Sequence, residues 1–473
     1  MRADLRSTLT RPEFLLITAL AFVTRFWGLL DPRAVVWDEI HFQRFAGAYF
    51  TGAYYVDVHP PLGKLLLAGA ARLLGVSGAA LAALAPAPEL RVLPALAGAL
   101  VIPVVYLLLR ELGTGRRVAT LAAALLLADN ALLVESRFIL VDSMLILFGM
   151  TAVLLYLMAR NGSGASRWML LTAAAATGGA AASTKWTGLS ALGLILLAWS
   201  AEALMQRRDW RALLREAAVL AFVPAAIYVA SFAVHFALLN RTGPGDLWMS
   251  ARFQASLAGN PLHAAGGRES FVRSMVDLNR TMTNINIGWA SDTNAAASPW
   301  FTWPIAKHSV AFWSLIEPGA GTQRWIVMFA NPIVWWGTLL GIVVIVAAAI
   351  ARRAQLARHR TLLLFLAAGY ALNFIPFAFI RRPMFLYHYF FALIFSVMLA
   401  AAGIGALAGW TDTDGEDGWR FSSRRSCAIY TAVIGLAAMS FLYFAPMSYG
   451  RPLSAASVLH RRWLLERHRG QLG

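Results

Sequence analysis

Two carboxylic acids stand side by side at Asp38 and Glu39, in the stretch VVWDEIHFQRFAGAYFTGAYYVDVHPPLGK at 35–64, which also carries His41, Arg44, His59 and Lys64. A carboxylate held beside a binding site can act as general base toward a hydroxyl, while its neighbour orients it or binds substrate. The plainer reading is a solvated acidic loop, and the pair alone does not separate the two. Its company adds weight. Pro60 and Pro61 remove two amide donors and fix φ, so His59 and Lys64 flank a rigid turn that a simple loop rarely needs. Taken alone, His59 reads equally as an interfacial histidine with no role.

Other stretches supply cations. Arg137 and Asp142 lie in VESRFILVDSMLILF. Arg137 either snorkels to lipid headgroups or binds the phosphate of a lipid-linked donor, a task that suits guanidinium geometry. Asp142 orients it or caps a helix. Lys185 in STKWTGLS interrupts an apolar run with no acid nearby in sequence, so it either snorkels or serves a site. RRPMFLYHYFFAL at 381–393 gathers Arg381, Arg382, Tyr387, His388 and Tyr389. These form an aromatic belt with interfacial arginines, or surround a phosphate or pyrophosphate leaving group. The tryptophans and prolines of 294–313 anchor a loop or line a sugar or peptide groove. Beyond the Asp38–Glu39 pair the sequence holds no cluster of carboxylates and histidines that asks for a metal.

These groups need elements to position them. The chain has 473 residues, 59% hydrophobic and 14% charged, with mean hydropathy +0.60, which marks a membrane protein. The formal charge of +17 comes from arginines gathered between apolar stretches; it reads as topology and not as nucleic-acid binding. A single cysteine, Cys427, excludes an intrachain disulfide. A spanning helix takes about 20 apolar residues. Eleven runs are candidates: 14–30, 91–109, 116–134, 139–158, 168–182, 186–204, 213–239, 327–350, 361–379, 386–409 and 427–445. The first contains Arg25, lacks a cleavage site and is expected to be retained. With the N-terminus cytoplasmic, the basic segments 110–117, 159–167, 206–215 and 351–360 all fall inside, while 411–425 mixes acids and bases.

That count places 31–90 and 241–326 outside, and divides the chain into 1–240, the second loop 241–326, and 327–473. PLGKLLLAGAARLLG in the first loop fits a short amphipathic or re-entrant helix. The second loop is expected to hold short interfacial helices, with no strand pattern. The basic tail VLHRRWLLERHRGQLG is read as surface-attached.

Several stretches, in this order, resemble the protein O-mannosyltransferase family of GT-C glycosyltransferases. They are WDEIHFQRFAGAYFTGAYYVDVHPPLGKLL at 37–66, SRFILVDSMLILF at 136–148, TKWTGL at 184–189, VHFALLNR at 234–241, SPWFTWP at 298–304, NPIVWW at 331–336 and FLYHYFFAL at 385–393. The resemblance implies an all-α integral membrane GT-C fold and transfer of mannose from polyprenyl-phosphate mannose to Ser or Thr hydroxyls of a translocating protein. It implies an extracytoplasmic site, inversion at the anomeric carbon, Asp38 as base with Glu39 beside it, Arg137 near the donor phosphate, and no cofactor or obligatory metal. Lys185, Arg381 and Arg382 are expected around the phosphate, and His59, Lys64, Tyr387 and His388 around substrate. The second loop has no room for the β-trefoil module of eukaryotic members, which points to the bacterial form in a plasma membrane. Phe391 stands where the family would have proline.

Two other classes compete. A related transferase would act on a glycolipid or lipid A-like acceptor, although HPPLGK and FLYHYF favour a protein. In a transporter or flippase, Lys185 and Arg137 would line a pathway, but the polar residues gather at one face instead of the midplane.

Overall fold

The computed structural model describes residues 5–461 apart from 207–208, 268, 289–293, 295, 318–320, 411–418, 420 and 422. Most of the basic tail therefore lies outside the described residues. All eleven apolar runs contain helix. The first, α1 (Pro12–Phe26), starts on a proline at its first turn, where the absent amide costs nothing. Two helices unlike the spans follow in the first loop: α2 (Glu39–Thr51) and α3 (Leu62–Leu73). The second is the amphipathic helix expected there.

Next come α4 (Val92–Glu111), then α5 (Arg116–Leu127) and α6 (Asn130–Ser136), which bend by 64° at their junction. The sequence suggests one straight span over 116–134. Asp129 breaks it by capping α6, its Oδ1 accepting from the Leu132 amide at 2.8 Å. The bundle continues with α7 (Asp142–Asn161), α8 (Gly164–Thr184), α9 (Leu189–Gln206) and α10 (Trp210–Leu238). After the second loop come α12 (Pro332–Ile350), α13 (Arg360–Phe374), α14 (Phe390–Ala408) and α15 (Arg424–Ser448). Among the described residues eight helices are long and apolar enough to cross a membrane, or nine if α5 and α6 form one span. Helix α1, at 15 residues, and the Ala/Gly-rich α8 are not among them.

Helix α14 is apolar all round and almost wholly buried, which makes it the central rod of the bundle. It packs against α12, α13 and α5. The chain's two halves lock together at the α5–α6 bend. Asp129 Oδ2 accepts from Trp335 Nε1 at 2.7 Å, and Asn331 Nδ2 donates to the carbonyls of Ala128 (2.7 Å) and Ala437 (3.0 Å). NPIVWW thus supplies a structural clamp.

The second loop carries α11 (Phe271–Gly288), as expected of an interfacial helix, and also a hairpin that the sequence reading missed. Strand β1 (Val310–Glu317) pairs antiparallel with β2 (Thr322–Met328), and β2 with the two-residue β3 (Leu453–Ser454), in the order β1-β2-β3. Trp325, Val327 and Phe329 pack on Phe444, Met447 and Val458 in a small separate core. The eighth span accordingly starts at Pro332 rather than at 327, because those residues are strand.

Candidate active site

Asp38 and Glu39 part company at the start of α2. Glu39 is buried and fully used: it takes a two-pronged ion pair from Arg91, Nε to Oε1 at 2.8 Å and Nη2 to Oε2 at 2.9 Å. Its oxygens also accept from the amides of Val36 and Ile139, each at 2.9 Å. Arg91 spends its other donors on the carbonyls of Pro32 and Ala34, both at 2.9 Å. A buried pair with every lone pair and proton engaged fixes local geometry. Glu39 therefore holds the turn through Arg91 and two backbone amides, while Asp38 has a different partner, so the structure does not pair the two carboxylates.

That turn is strained. Trp37 has φ of +49°, a left-handed conformation uncommon for a bulky residue, and its ring is held face-on against Phe312 at 5.6 Å and edge-on to Phe385 at 6.0 Å. Fixed on both sides, by Glu39 and by Trp37, Asp38 points the other way. Its Oδ2 accepts from the Tyr387 hydroxyl at 3.4 Å. Burial raises the pKa of Asp38 above the ordinary carboxylate value, partly offset by the positive charges of His41 and Lys185 and by the Tyr387 hydrogen bond. A more basic carboxylate is a better proton acceptor.

Lys185, at the junction of α8 and α9, lies over the ring of the same tyrosine, its Nζ 5.4 Å from the ring centre. It does have an acid: Nζ donates to Asp142 Oδ1 at 2.8 Å and Oδ2 at 3.0 Å. The partner is 43 residues away in sequence, which is why local inspection missed it, and it leaves Arg137 without the orienting role suggested for Asp142. Next along the chain, His388 stacks on Tyr387 at 4.8 Å, and its Nε2 faces Arg382 Nη2 at 3.3 Å. Arg382 is half-buried, and burial pulls its pKa down; Arg381 is exposed. His59 joins the group electrostatically. Burial and the charges of Lys185, Arg382 and Lys64 hold its pKa well below that of a free histidine, so it is neutral near pH 7.

Two expected residues are not brought to this group. Arg137 turns away and caps the end of α1: Nη1 donates to the carbonyls of Arg25 (2.8 Å) and Trp27 (2.7 Å), Nη2 to that of Gly28 (3.0 Å), with Tyr449 stacked on it at 4.5 Å. The backbone at a helix C-terminus carries partial negative charge, and here the arginine serves it. Lys64 is buried in an ion pair with Asp57 and donates to the His59 carbonyl at 2.6 Å. It closes the HPPLGK turn onto itself. Gly63 lets that turn approach closely, since a Cβ there would meet Thr184 and Val141 at 2.9 Å. The lack of a side chain lets the turn carrying His59 pack against Thr184, the residue before Lys185. Asp57, two residues before His59, and Arg91, at the mouth of an apolar run, are contributors that the sequence reading left out.

The polar group caps a cavity of about 300 Å³. Asp142, Lys185, Tyr387 and His388 line it together with Leu145, Ile146, Leu189, Leu372, Phe377 and Phe391, between α7, α9, α13 and α14. Phe391 packs where Gly149 leaves space, the ring 2.4 Å from a hypothetical Cβ at that glycine. An aromatic thus takes the position expected for proline and becomes part of the wall. A buried lysine and a largely apolar channel share one space, and Asp38 is linked to it through the Tyr387 hydroxyl. That arrangement suits displacement of a phosphate from a lipid-linked substrate.

Comparison with known proteins bears on both halves of the chain. A family model described as dolichyl-phosphate-mannose-protein mannosyltransferase matches residues 15–240, and one described as the C-terminal four TMM region of protein-O-mannosyltransferase matches residues 271–467. Protein O-mannosyltransferase 1 of Drosophila melanogaster is 37% identical over 261 residues, 51% of this chain and 29% of that protein. Dolichyl-phosphate-mannose–protein mannosyltransferase 4 of Schizosaccharomyces pombe is 34% identical over 273 residues, 53% and 35% of the two. The alignments span well under half the length of these curated relatives. Among solved structures, the S. cerevisiae protein O-mannosyltransferase Pmt1-Pmt2 complex bound to the sugar donor superposes with TM-score 0.85 at 18% identity, over 98% of this chain and 93% of that one. ArnT of Cupriavidus metallidurans bound to undecaprenyl phosphate gives 0.51 at 19%, over 96% and 73%. At those identities the likeness is one of fold.

Proposed function

The chain belongs to the protein O-mannosyltransferase family, and we propose that it transfers mannose from a polyprenyl-phosphate mannose to a Ser or Thr hydroxyl of a protein on the extracytoplasmic side of a membrane. One observation carries the reading. Asp38 accepts from the Tyr387 hydroxyl, Lys185 lies over the Tyr387 ring, and Tyr387 and Lys185 both line a largely apolar cavity. The prenyl chain lies in the apolar part, and the phosphate sits beside Lys185, with Arg382 and His388 close by. Asp142 uses two of the three ammonium protons of Lys185 and leaves one for the phosphate.

In the step proposed, Asp38 takes the proton of the acceptor hydroxyl as its oxygen bonds to the anomeric carbon. The bond from that carbon to phosphate oxygen breaks on the opposite face, which inverts the centre. The electron pair leaves with the phosphate, which wants positive charge more than a general acid. Family membership, the fold shared with a donor-bound mannosyltransferase complex and the raised pKa of Asp38 support this. The test is to incubate the purified protein with polyprenyl-phosphate mannose and a Ser/Thr/Pro-rich peptide and weigh the products. One hexose added to the peptide is expected; transfer to a lipid with the peptide unchanged would contradict the reading.

A further inference from the structure

Strand β1 is an edge. Its inner side pairs with β2, and among the described residues no segment pairs with its outer side. Natural proteins blunt such edges with lysine, proline or a covering element, because a free row of amides and carbonyls invites another strand. Val310–Glu317 reads VAFWSLIE: it has neither, and its one charge is at the far end. Ser314, Leu315 and Ile316 are exposed.

The edge is continuous with the site. The register of β1 against β2 shifts between Ala311 and Trp313, so Phe312 is the extra residue of a bulge, a device that re-aims a side chain. Here it aims Phe312 into the protein, flat on Trp37 at 5.6 Å and against Phe138 at 5.8 Å. Trp37 precedes Asp38. Just ahead of the strand, Trp303 stacks on His388 at 6.1 Å and the Ser298 amide donates to the Met384 carbonyl at 2.7 Å. The strand thus begins among residues that touch the polar group and passes from buried Val310 and Phe312 to exposed Ser314, Leu315 and Ile316.

We propose that the outer edge of β1 receives the acceptor polypeptide as an added strand, which leads its hydroxyl-bearing residue to Asp38. The inference rests on the reading that the acceptor is a protein. Main-chain pairing recognises an extended backbone rather than a sequence, with side chains alternating toward and away from each face. A chain held this way can present Ser or Thr among varied neighbours.

Backbone pairing has a signature of parity. In an added strand, amides at alternate residues face β1, and those between face away. The full-length protein is therefore assayed with polyprenyl-phosphate mannose and a single-Thr peptide, then with the same peptide N-methylated at one backbone position at a time. The expected result is a rise in peptide KM of about tenfold for positions of one parity and little change for the other. An equal response at both parities, or none, overturns edge pairing while transfer to the parent peptide upholds the protein-acceptor reading; failure of the parent peptide sinks both. A second measurement uses Ser314→Cys in a Cys427→Ser background with a cysteine-bearing acceptor peptide. With a mild thiol oxidant added, a disulfide to the peptide is expected, and cross-linking only to a second copy of the chain would contradict the proposal.

Discussion

Tyr387 is the residue on which the two kinds of chemistry meet, since its hydroxyl serves Asp38 and its ring serves Lys185. Its hydrogen bond stabilises the Asp38 carboxylate, so removing it raises that pKa further. The base must be deprotonated, and kcat/KM falls as pH drops through its pKa. Tyr387→Phe is expected to move the acid limb of the pH–rate profile to higher pH; an unmoved limb would show that Tyr387 does not act through Asp38. Arg137 calls for a different test. Its donors end on α1 carbonyls, and Arg137→Ala should cost roughly 2–3 kcal/mol of stability by leaving buried acceptors unpaired. Donor affinity of the protein that remains folded is expected to stay near that of the parent. A selective loss of donor binding, at unchanged thermal stability, would return Arg137 to the phosphate. The residue types that carry chemistry were legible in the sequence, but the direction of their side chains was not. Asp38 and Glu39 are adjacent, yet one meets the hydroxyl of Tyr387 and the other an arginine 52 residues away. Only the fold decides which is which.

At the scale of elements, long apolar runs made the helices legible because burial or lipid demands such runs whatever the tertiary detail. The α5–α6 bend depends on Asp129 finding Trp335 and Asn331 some 200 residues later, and the hairpin on a short strand whose packing partners lie in α15 and beyond. Each left a local signal that is easily passed over: Asp129 as a capping residue for the bend, and VAFWSLIE and TQRWIVM on either side of Pro-Gly-Ala-Gly for the hairpin. The HPPLGK turn falls between these cases: its rigidity was legible, while the use of Gly63 was not, since that depends on the crossing of α3 beneath Thr184 and Val141. Both contacts are to β-branched side chains that rotate little. Gly63→Ala should therefore cost about 1–3 kcal/mol by overpacking and draw His59 away from Lys185. Thermal unfolding and donor affinity measured together check this, and an unaffected pair of values would mean that the close approach is not needed.

Across the whole molecule, the site is assembled from both halves: Asp38, His59 and Lys185 from the first, Arg382, Tyr387 and His388 from the second. The clamp of Asp129, Asn331 and Trp335 holds those halves in register. In the proposed orientation, which rests on the arginine-rich short connections, α2 and α3 lie outside. A cysteine introduced at exposed Arg44, in a Cys427→Ser background, should react with an impermeant reagent applied from outside and not from the cytoplasmic side. The opposite labelling would invert the topology and remove the site from the translocated acceptor. In the proposed mechanism a base at Asp38 works against a leaving phosphate at Lys185, and Asp38→Asn separates the two, because the amide keeps the shape and loses the proton acceptor. Purified Asp38→Asn protein should bind polyprenyl-phosphate mannose about as well as the parent while transfer to a Ser/Thr peptide falls by about 100-fold or more. Transfer at near-parent rates would contradict the account.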